Sequence, residues 1–143
     1  MNKLEALLRS RTVQIDGNRV TKYYRDRAHA LRFMENCKKL SQNFIVPRPY
    51  AMQENVRGYL GIKYTGVIMS YMEGFQLSWF NEIGASYESE AWRAAYFTMD
   101  RAMDLGWKLP ASAYEPSHLV YNPQTALIGF LSVGDWVNKQ DPC

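Results

Sequence analysis

Hydrophobic and polar positions alternate with two different periods in the first part of the chain. Residues 12–24 alternate apolar and polar side chains around an Asp-Gly-Asn turn at 16–18. Gly and Asn tolerate the positive φ of a tight turn, so this pattern predicts a β-hairpin. Over residues 26–41 apolar side chains recur every three or four positions, which predicts an amphipathic helix. A similar stripe over residues 2–10 predicts a short N-terminal helix.

The rest of the chain predicts further short strands and two more helices. Residues 44–74 open with an extended Pro-x-Pro element and continue as two or three strands rich in Val, Ile and Tyr. A short helix follows, and then a long helix that Ser86 or Ser89 caps and Gly106 ends. Two short strands around an Asn-Pro turn lie within residues 118–133, and the tail is expected to add one helical turn. Strands segregate from helices, which predicts an α+β fold.

Composition and charge narrow the class of protein. At 143 residues the chain fits one compact unit, and 47% hydrophobic with 14% aromatic residues is typical of a folded protein. The net charge of +3 is spread along the chain, so no nucleic-acid partner is expected. No apolar run approaches the roughly 18 residues of a membrane span, and there are two cysteines, Cys37 and Cys143. A cytoplasmic protein without membrane contact is therefore expected.

Four local sequences stand out, namely RVTKYY, RAHALRFMENCKKL, IVPRPY and GVIMSYMEGFQL. Together they resemble parts of the protein-kinase-like fold, most closely its aminoglycoside/choline phosphotransferase branch. RVTKYY is similar to the third strand of the small lobe, and RAHALRFMENCKKL is similar to the helix that follows it. IVPRPY resembles a Val-Pro-x-Pro element, and GVIMSYMEGFQL resembles the hinge. The resemblance implies a small antiparallel-sheet lobe with one crossing helix, residues 1–71, joined through a hinge to a reduced helical lobe, residues 72–143.

The same resemblance implies roles for four residues if a nucleotide binds. Lys22 takes the place of the lysine that holds the nucleotide phosphates, and Glu35 takes the place of the glutamate that anchors it. The backbone around Tyr71 and Met72 would face the adenine. The residues alone leave open whether Lys22 and Glu35 form this ion pair or are two solvated charges on a strand and a helix.

The resemblance breaks down where the family carries its catalytic acids. Its catalytic aspartate falls on Ala113, its metal-binding asparagine on His118, and the aspartate of its Ile-Asp-Phe-Gly sequence on Gly129. Magnesium prefers oxygen ligands and usually needs one or two carboxylates. The hairpin also lacks a Gly-rich phosphate loop. We therefore expect no metal site, no bound cofactor and no phosphoryl transfer.

Three other side chains are candidates for chemistry in a remodelled cleft. His118 is either a ligand or acid in the cleft or a histidine with a structural hydrogen bond. Glu115 and Asp135 are the carboxylates available to replace the missing ones, although each is expected to be exposed. With Lys22 and Glu35 they complete the set of catalytic candidates.

Three functional hypotheses follow. The first is a degenerate, pseudokinase-like protein that acts as a binding or regulatory module, with a protein partner or a homodimer covering apolar surface of the reduced lobe. The second is a metal-independent enzyme, of cyclisation or isomerisation type, acting on an apolar small molecule in the cleft. Its polar groups would be Lys22, Glu35, Tyr71 and His118. The third is a divergent active phosphotransferase that uses Glu115 or Asp135.

Overall fold

A computed structural model describes residues 13–83 and 88–139 of the chain. The predicted N-terminal helix and the Ser86 cap lie outside the described residues. The strands are β1 (Val13–Asp16), β2 (Arg19–Tyr24), β3 (Pro49–Arg57), β4 (Lys63–Ser70), β5 (Phe75–Gln76), β6 (Trp107–Lys108), β7 (Leu119–Asn122), β8 (Leu127–Phe130) and β9 (Val137–Asn138). The helices are α1 (Arg27–Leu40), α2 (Leu77–Ile83) and α3 (Glu88–Asp104). The predicted α+β class is confirmed.

The predicted hairpin and the helix after it form through local signals. β1 pairs antiparallel with β2, and Gly17 adopts φ +61° in the turn between them. Asp26 caps α1, because its side chain accepts a hydrogen bond of 2.9 Å from the backbone N–H of Ala28. Lys38 and Lys39 lie in the last turn, where cations are favourable to the helix dipole.

One four-stranded antiparallel sheet, in the order β1-β2-β4-β3, forms the first half. The segment predicted to hold two or three strands contains two, β3 and β4. Their connection turns through Leu60 and Gly61, both at positive φ. α1 packs against β2 and β4, and its buried face consists of Ala30, Phe33, Cys37 and Leu40. Residues of β1, β2 and β4 line one side of a cleft that is described below.

The second half combines α2 and α3 with two small antiparallel sheets. β5, β7 and β8 form one sheet, while β6 pairs with β9. The helical turn expected in the tail is wrong for the described part, since β9 is extended and pairs with β6. The cause is tertiary: Trp136, just before β9, is buried against Trp107 and Phe130.

A single hydrophobic core joins the two halves. It extends from Tyr24 and Phe33 to Phe130 and Trp136. Ile45 and Gly129 add an isolated parallel bridge between the halves. The lobe boundary near residue 71 stays a prediction.

Candidate functional site

A cleft of about 530 Å³ lies between the first sheet and the β7–β8 hairpin. One edge of the cleft is formed by Tyr71, Met72 and Gly74, in the segment that joins the two halves. Its lining residues are Val13, Ile15, Val20, Lys22, Pro47, Met69, Ser70, Tyr71, Met72, Gly74, Phe75, Gln76, Trp79, Ser117, His118, Val120, Leu131 and Ser132. Side chains from both halves line this cleft, so a ligand bound in it would contact both halves.

The mouth of the cleft is aromatic. The rings of Phe75 and Trp79 stack with centroids 4.7 Å apart and planes 20° from parallel. Both side chains are exposed, as is Tyr71 on the same edge. Exposed aromatic rings beside a concave site offer flat apolar surface to a ligand.

Lys22 is the lysine of the cleft. Alternation along β2 places Lys22 and Tyr24 on the inner face of the sheet. The Lys22 ammonium donates a hydrogen bond of 3.3 Å to Ser132 Oγ, and its Nζ lies 5.2 Å from the centroid of the Phe33 ring. Burial lowers the pKa of Lys22, although the nearby Cys37 and Asp135 oppose that shift. Lys22 is thus a partly desolvated cation at the back of the cleft.

The predicted Lys22–Glu35 ion pair is wrong: within residues 13–83 and 88–139 these two side chains are not paired. Glu35 Oε1 instead lies 3.4 Å from Lys39 Nζ, and 66% of the Glu35 side chain is exposed. Phe33 is fully buried and faces Lys22. Two residues rotate a helix by about 200°, so Glu35 points to the opposite side, into solvent. Of the two readings of Glu35, the solvated charge is the one observed.

Asn36, next to Glu35, connects α1 to the segment after β8. Its side-chain amide donates to the carbonyl oxygens of Val133, at 2.8 Å, and Trp136, at 2.9 Å. His29 Nε2 lies 3.5 Å from Asp135 Oδ1. These contacts hold the segment that carries Ser132 beneath Lys22. Sequence reasoning missed Asn36, because an asparagine on a helix has no distinctive spacing.

His118 combines a structural contact with a place in the cleft. Its Nδ1 lies 2.8 Å from the carbonyl oxygen of Ser112. A carbonyl oxygen only accepts, so Nδ1 carries the proton and donates, and Nε2 of the neutral ring keeps its lone pair. His118 therefore makes a structural hydrogen bond and also lines the cleft, so its position agrees with both roles considered for it.

The two carboxylates proposed as replacements do not line the cleft. Glu115 is exposed between two short helical turns. Asp135 is paired with His29, and 61% of its side chain is exposed. Among the residues that the structure describes, no three His, Cys, Asp or Glu side chains come together as a possible metal site.

Gly129, on which the resemblance places the aspartate of the Ile-Asp-Phe-Gly sequence, does not line the cleft. It is a buried residue of β8, and a Cβ added there would collide with Met72 Cε and lie 3.1 Å from Ile45 Cγ2. The side chain that contacts Lys22 belongs to Ser132, three residues further on. A signal for this existed, because Ser132-Val133-Gly134 keeps the glycine of an Asp-Phe-Gly motif. Ala113, assigned to the catalytic aspartate, is buried.

The hinge residues line the cleft, but part of their backbone is already engaged. The Tyr71 N–H donates to the carbonyl oxygen of Asn18, in the hairpin turn, at 2.9 Å. Ser70 N–H donates to Arg48 O, and Arg48 N–H donates to Ser70 Oγ. Contact of Tyr71 and Met72 with an adenine stays a prediction.

Comparisons with known proteins find solved structures of similar fold. No protein-family model and no curated protein matches the chain. Monomeric WbdD is similar with a TM-score of 0.69 and 14% identity, over 92% of this chain and 34% of that one. A structure of the bifunctional kinase-methyltransferase WbdD has a TM-score of 0.66 and 16% identity, over 95% and 32%. The complex of Rv3197 with erythromycin, from Mycobacterium tuberculosis, has a TM-score of 0.50 and 17% identity, over 77% and 26%.

The chain spans about a third of the length of the WbdD chains that it matches. None of the helices in the described ranges combines the length and apolar character needed to cross a membrane. At identities this low the likeness shows the fold alone. The chain therefore has a kinase-like α+β fold.

Proposed function

We propose that the protein is a kinase-like binding module, of the pseudokinase type, that does not transfer phosphoryl groups. The observation that carries this proposal is the chemistry around Lys22. The lining of the cleft, drawn from the described residues, includes no carboxylate, and the group that accepts a hydrogen bond from Lys22 is the hydroxyl of Ser132.

Phosphoryl transfer in protein kinases needs carboxylates at two points. One aspartate holds magnesium, and another accepts the proton of the substrate hydroxyl. In this proposal Ser132 occupies the place of the first and Ala113 that of the second. Loss of a general base alone costs about 10²-fold to 10⁴-fold in rate, and loss of the metal removes charge neutralisation as well. Both losses together support a binding role.

Structures of similar fold hold small molecules other than a nucleotide, which supports a binding role for such a cleft. One WbdD structure holds the kinase inhibitor LY294002, and Rv3197 was solved with erythromycin. The four local sequences that resemble kinase elements support placing the chain near the aminoglycoside/choline phosphotransferase branch. They also support a lobe boundary at residue 71, which lies within the hinge-like sequence GVIMSYMEGFQL.

A thermal-shift assay tests the loss of phosphoryl transfer. The melting temperature is measured with ATP alone, with ATP and Mg²⁺, and with ATP and Mn²⁺. The proposal expects the three melting temperatures to agree. A stabilisation by ATP that requires either metal would contradict it and support the divergent phosphotransferase, with Asp135 released from His29.

A protein partner or a second copy of the chain is the other part of the binding proposal. Tyr96 and Phe97, on α3, are 53% and 66% exposed, which is high for aromatic side chains. Light scattering on the purified protein, followed by interaction capture, tests this part. A monomer that captures no partner would count against it.

A second candidate is a metal-independent enzyme acting on an apolar small molecule. The observation that favours it is His118, whose Nε2 lone pair belongs to a ring that lines the same cleft as Lys22. Glu35 drops out of this candidate because it points to solvent. Variants Lys22→Met and His118→Asn should then abolish turnover of a substrate without lowering the melting temperature, whereas a binding module would show no turnover to lose.

A further inference from the structure

We infer that the cleft binds a small molecule with an apolar, partly aromatic body and one acidic group, such as a carboxylate or sulfonate, that contacts Lys22. This inference deepens the proposed binding function and rests on it. It is carried by the charge at the back of the cleft and by the nature of the walls.

The charge of Lys22 lacks a direct carboxylate counter-ion among the described residues. The nearby carboxylate, Asp135, lies 3.5 Å from His29 Nε2 and does not line the cleft. The nearby thiol, Cys37, is neutral near pH 7, because burial raises its pKa to about 12. An ammonium has three N–H donors, and Ser132 Oγ accepts one. The rings of Tyr24 and Phe33 lie 5.3 Å and 5.2 Å from Nζ and contact the cation through their faces, but they carry no negative charge. Because burying a charge is costly unless it is paired and hydrogen-bonded, an anionic group of a ligand would complete the surroundings of Lys22.

The number of charges limits the ligand to one acidic group. Among the described residues that line the cleft, the basic side chains are those of Lys22 and His118. A nucleoside triphosphate carries several negative charges and normally brings a divalent cation, for which the described lining offers no carboxylate. A monoanion matches the cleft without a metal.

The walls fit an apolar body. Between the mouth and Lys22 the lining side chains are mainly aliphatic, including Val13, Val20, Met69, Val120 and Leu131. At the mouth, the stacked rings of Phe75 and Trp79 provide a flat aromatic surface. The volume of about 530 Å³ lies within the range of drug-sized ligand sites. The ligand thus extends from an aromatic mouth to one cation.

Two fluorescent probes of nearly equal shape test this inference. The first is 8-anilinonaphthalene-1-sulfonate, which is a monoanion, and the second is neutral N-phenyl-1-naphthylamine. Each is titrated into the wild type, Lys22→Met, Ser132→Asp and Lys38→Met. Lys38 is an exposed lysine on α1 outside the cleft, so it controls for the loss of one positive charge.

The sulfonate probe should lose about tenfold or more in affinity in Lys22→Met, since a charge-assisted hydrogen bond is removed. Ser132→Asp should cause a similar loss, because the new carboxylate neutralises Lys22, and it provides the test if Lys22→Met does not fold. The neutral probe should bind all four proteins within about twofold. Equal loss of both probes, or sulfonate binding that neither cleft variant changes, would overturn the inference. Metal-dependent stabilisation by ATP would instead overturn the proposed function, so the two failures are distinguishable.

Discussion

An aspartate introduced at Ser132 or at Gly129 tests which of these residues faces Lys22. Ser132 is partly exposed and its Oγ lies 3.3 Å from Lys22 Nζ. Gly129 is buried in β8 against Met72 and Ile45. The variant Ser132→Asp is therefore expected to fold, and Gly129→Asp is expected to be severely destabilised.

The magnitudes follow from the surroundings of the two positions. At Gly129 the added atoms overpack the site, which costs about 1–3 kcal/mol, and a polar group buried there without a partner costs about 2 kcal/mol or more. Their sum is a large part of the roughly 5–15 kcal/mol that stabilises an ordinary domain. At Ser132 the carboxylate gains an ion pair with Lys22 and loses some hydration. These effects nearly cancel, which leaves the free energy of unfolding within about 1 kcal/mol of the wild type.

Urea unfolding followed by tryptophan fluorescence measures both variants, because Trp107 and Trp136 are buried and report on the core. Ser132→Ala is the matched control, since it removes the hydroxyl without adding charge. The reasoning is refuted if Gly129→Asp unfolds at the same urea concentration as the wild type, or if Ser132→Asp loses as much stability as Gly129→Asp.

Three further predictions concern α1, Lys22 and the hinge. Asn36→Ala should lower the free energy of unfolding by about 1–3 kcal/mol through its two lost hydrogen bonds, whereas Glu35→Ala should change it by less than about 0.5 kcal/mol. Equal urea midpoints for the two variants would contradict this. Lys22→Met should be more stable than the wild type near neutral pH, because a lowered folded-state pKa penalises the charged form. That difference in stability should shrink as the pH rises from the lowered pKa towards 10.5. Urea midpoints of the wild type and Lys22→Met that keep a constant separation over this pH range would contradict the argument. Gly74→Ala should cost about 2 kcal/mol or more, because Gly74 has φ +127° and a Cβ would lie 2.6 Å from Tyr121 O. Gly17→Ala, at φ +61° in open space, should cost about 1 kcal/mol, and thermal melts that rank the two the other way would be contrary evidence.

Local signals predicted the elements of the fold that depend on neighbouring residues. The Asp-Gly-Asn turn gave the first hairpin, Asp26 marked the start of α1, and Gly106, at φ +95°, ends the turn after α3. Each of these depends on a cap, a turn residue or a period that lies within a few positions. The pairing of β6 with β9 could not be predicted in this way, because it depends on the burial of Trp136 against distant residues.

Of the two charged residues singled out in the sequence, Lys22 lines the cleft and Glu35 does not, and the role of Lys22 stays a prediction. Lys22 lies in the cleft because strand alternation fixes which face it occupies. Glu35 was misplaced because a spacing of 13 residues along the chain does not fix the rotation of α1 about its axis, which the burial of Phe33 determines. Ser132 was missed because aligning the residues around Gly129 with the family sequence does not determine which side chain contacts Lys22 in the fold.

Electron paramagnetic resonance of Mn²⁺ with a non-hydrolysable ATP analogue tests the central claim most directly. The spectrum of the metal–nucleotide complex is recorded with and without an excess of the protein. Because the described lining of the cleft has no carboxylate, the two spectra are predicted to be the same. A stoichiometric protein-bound Mn²⁺ signal that requires the nucleotide, and that Lys22→Met abolishes, would contradict the account.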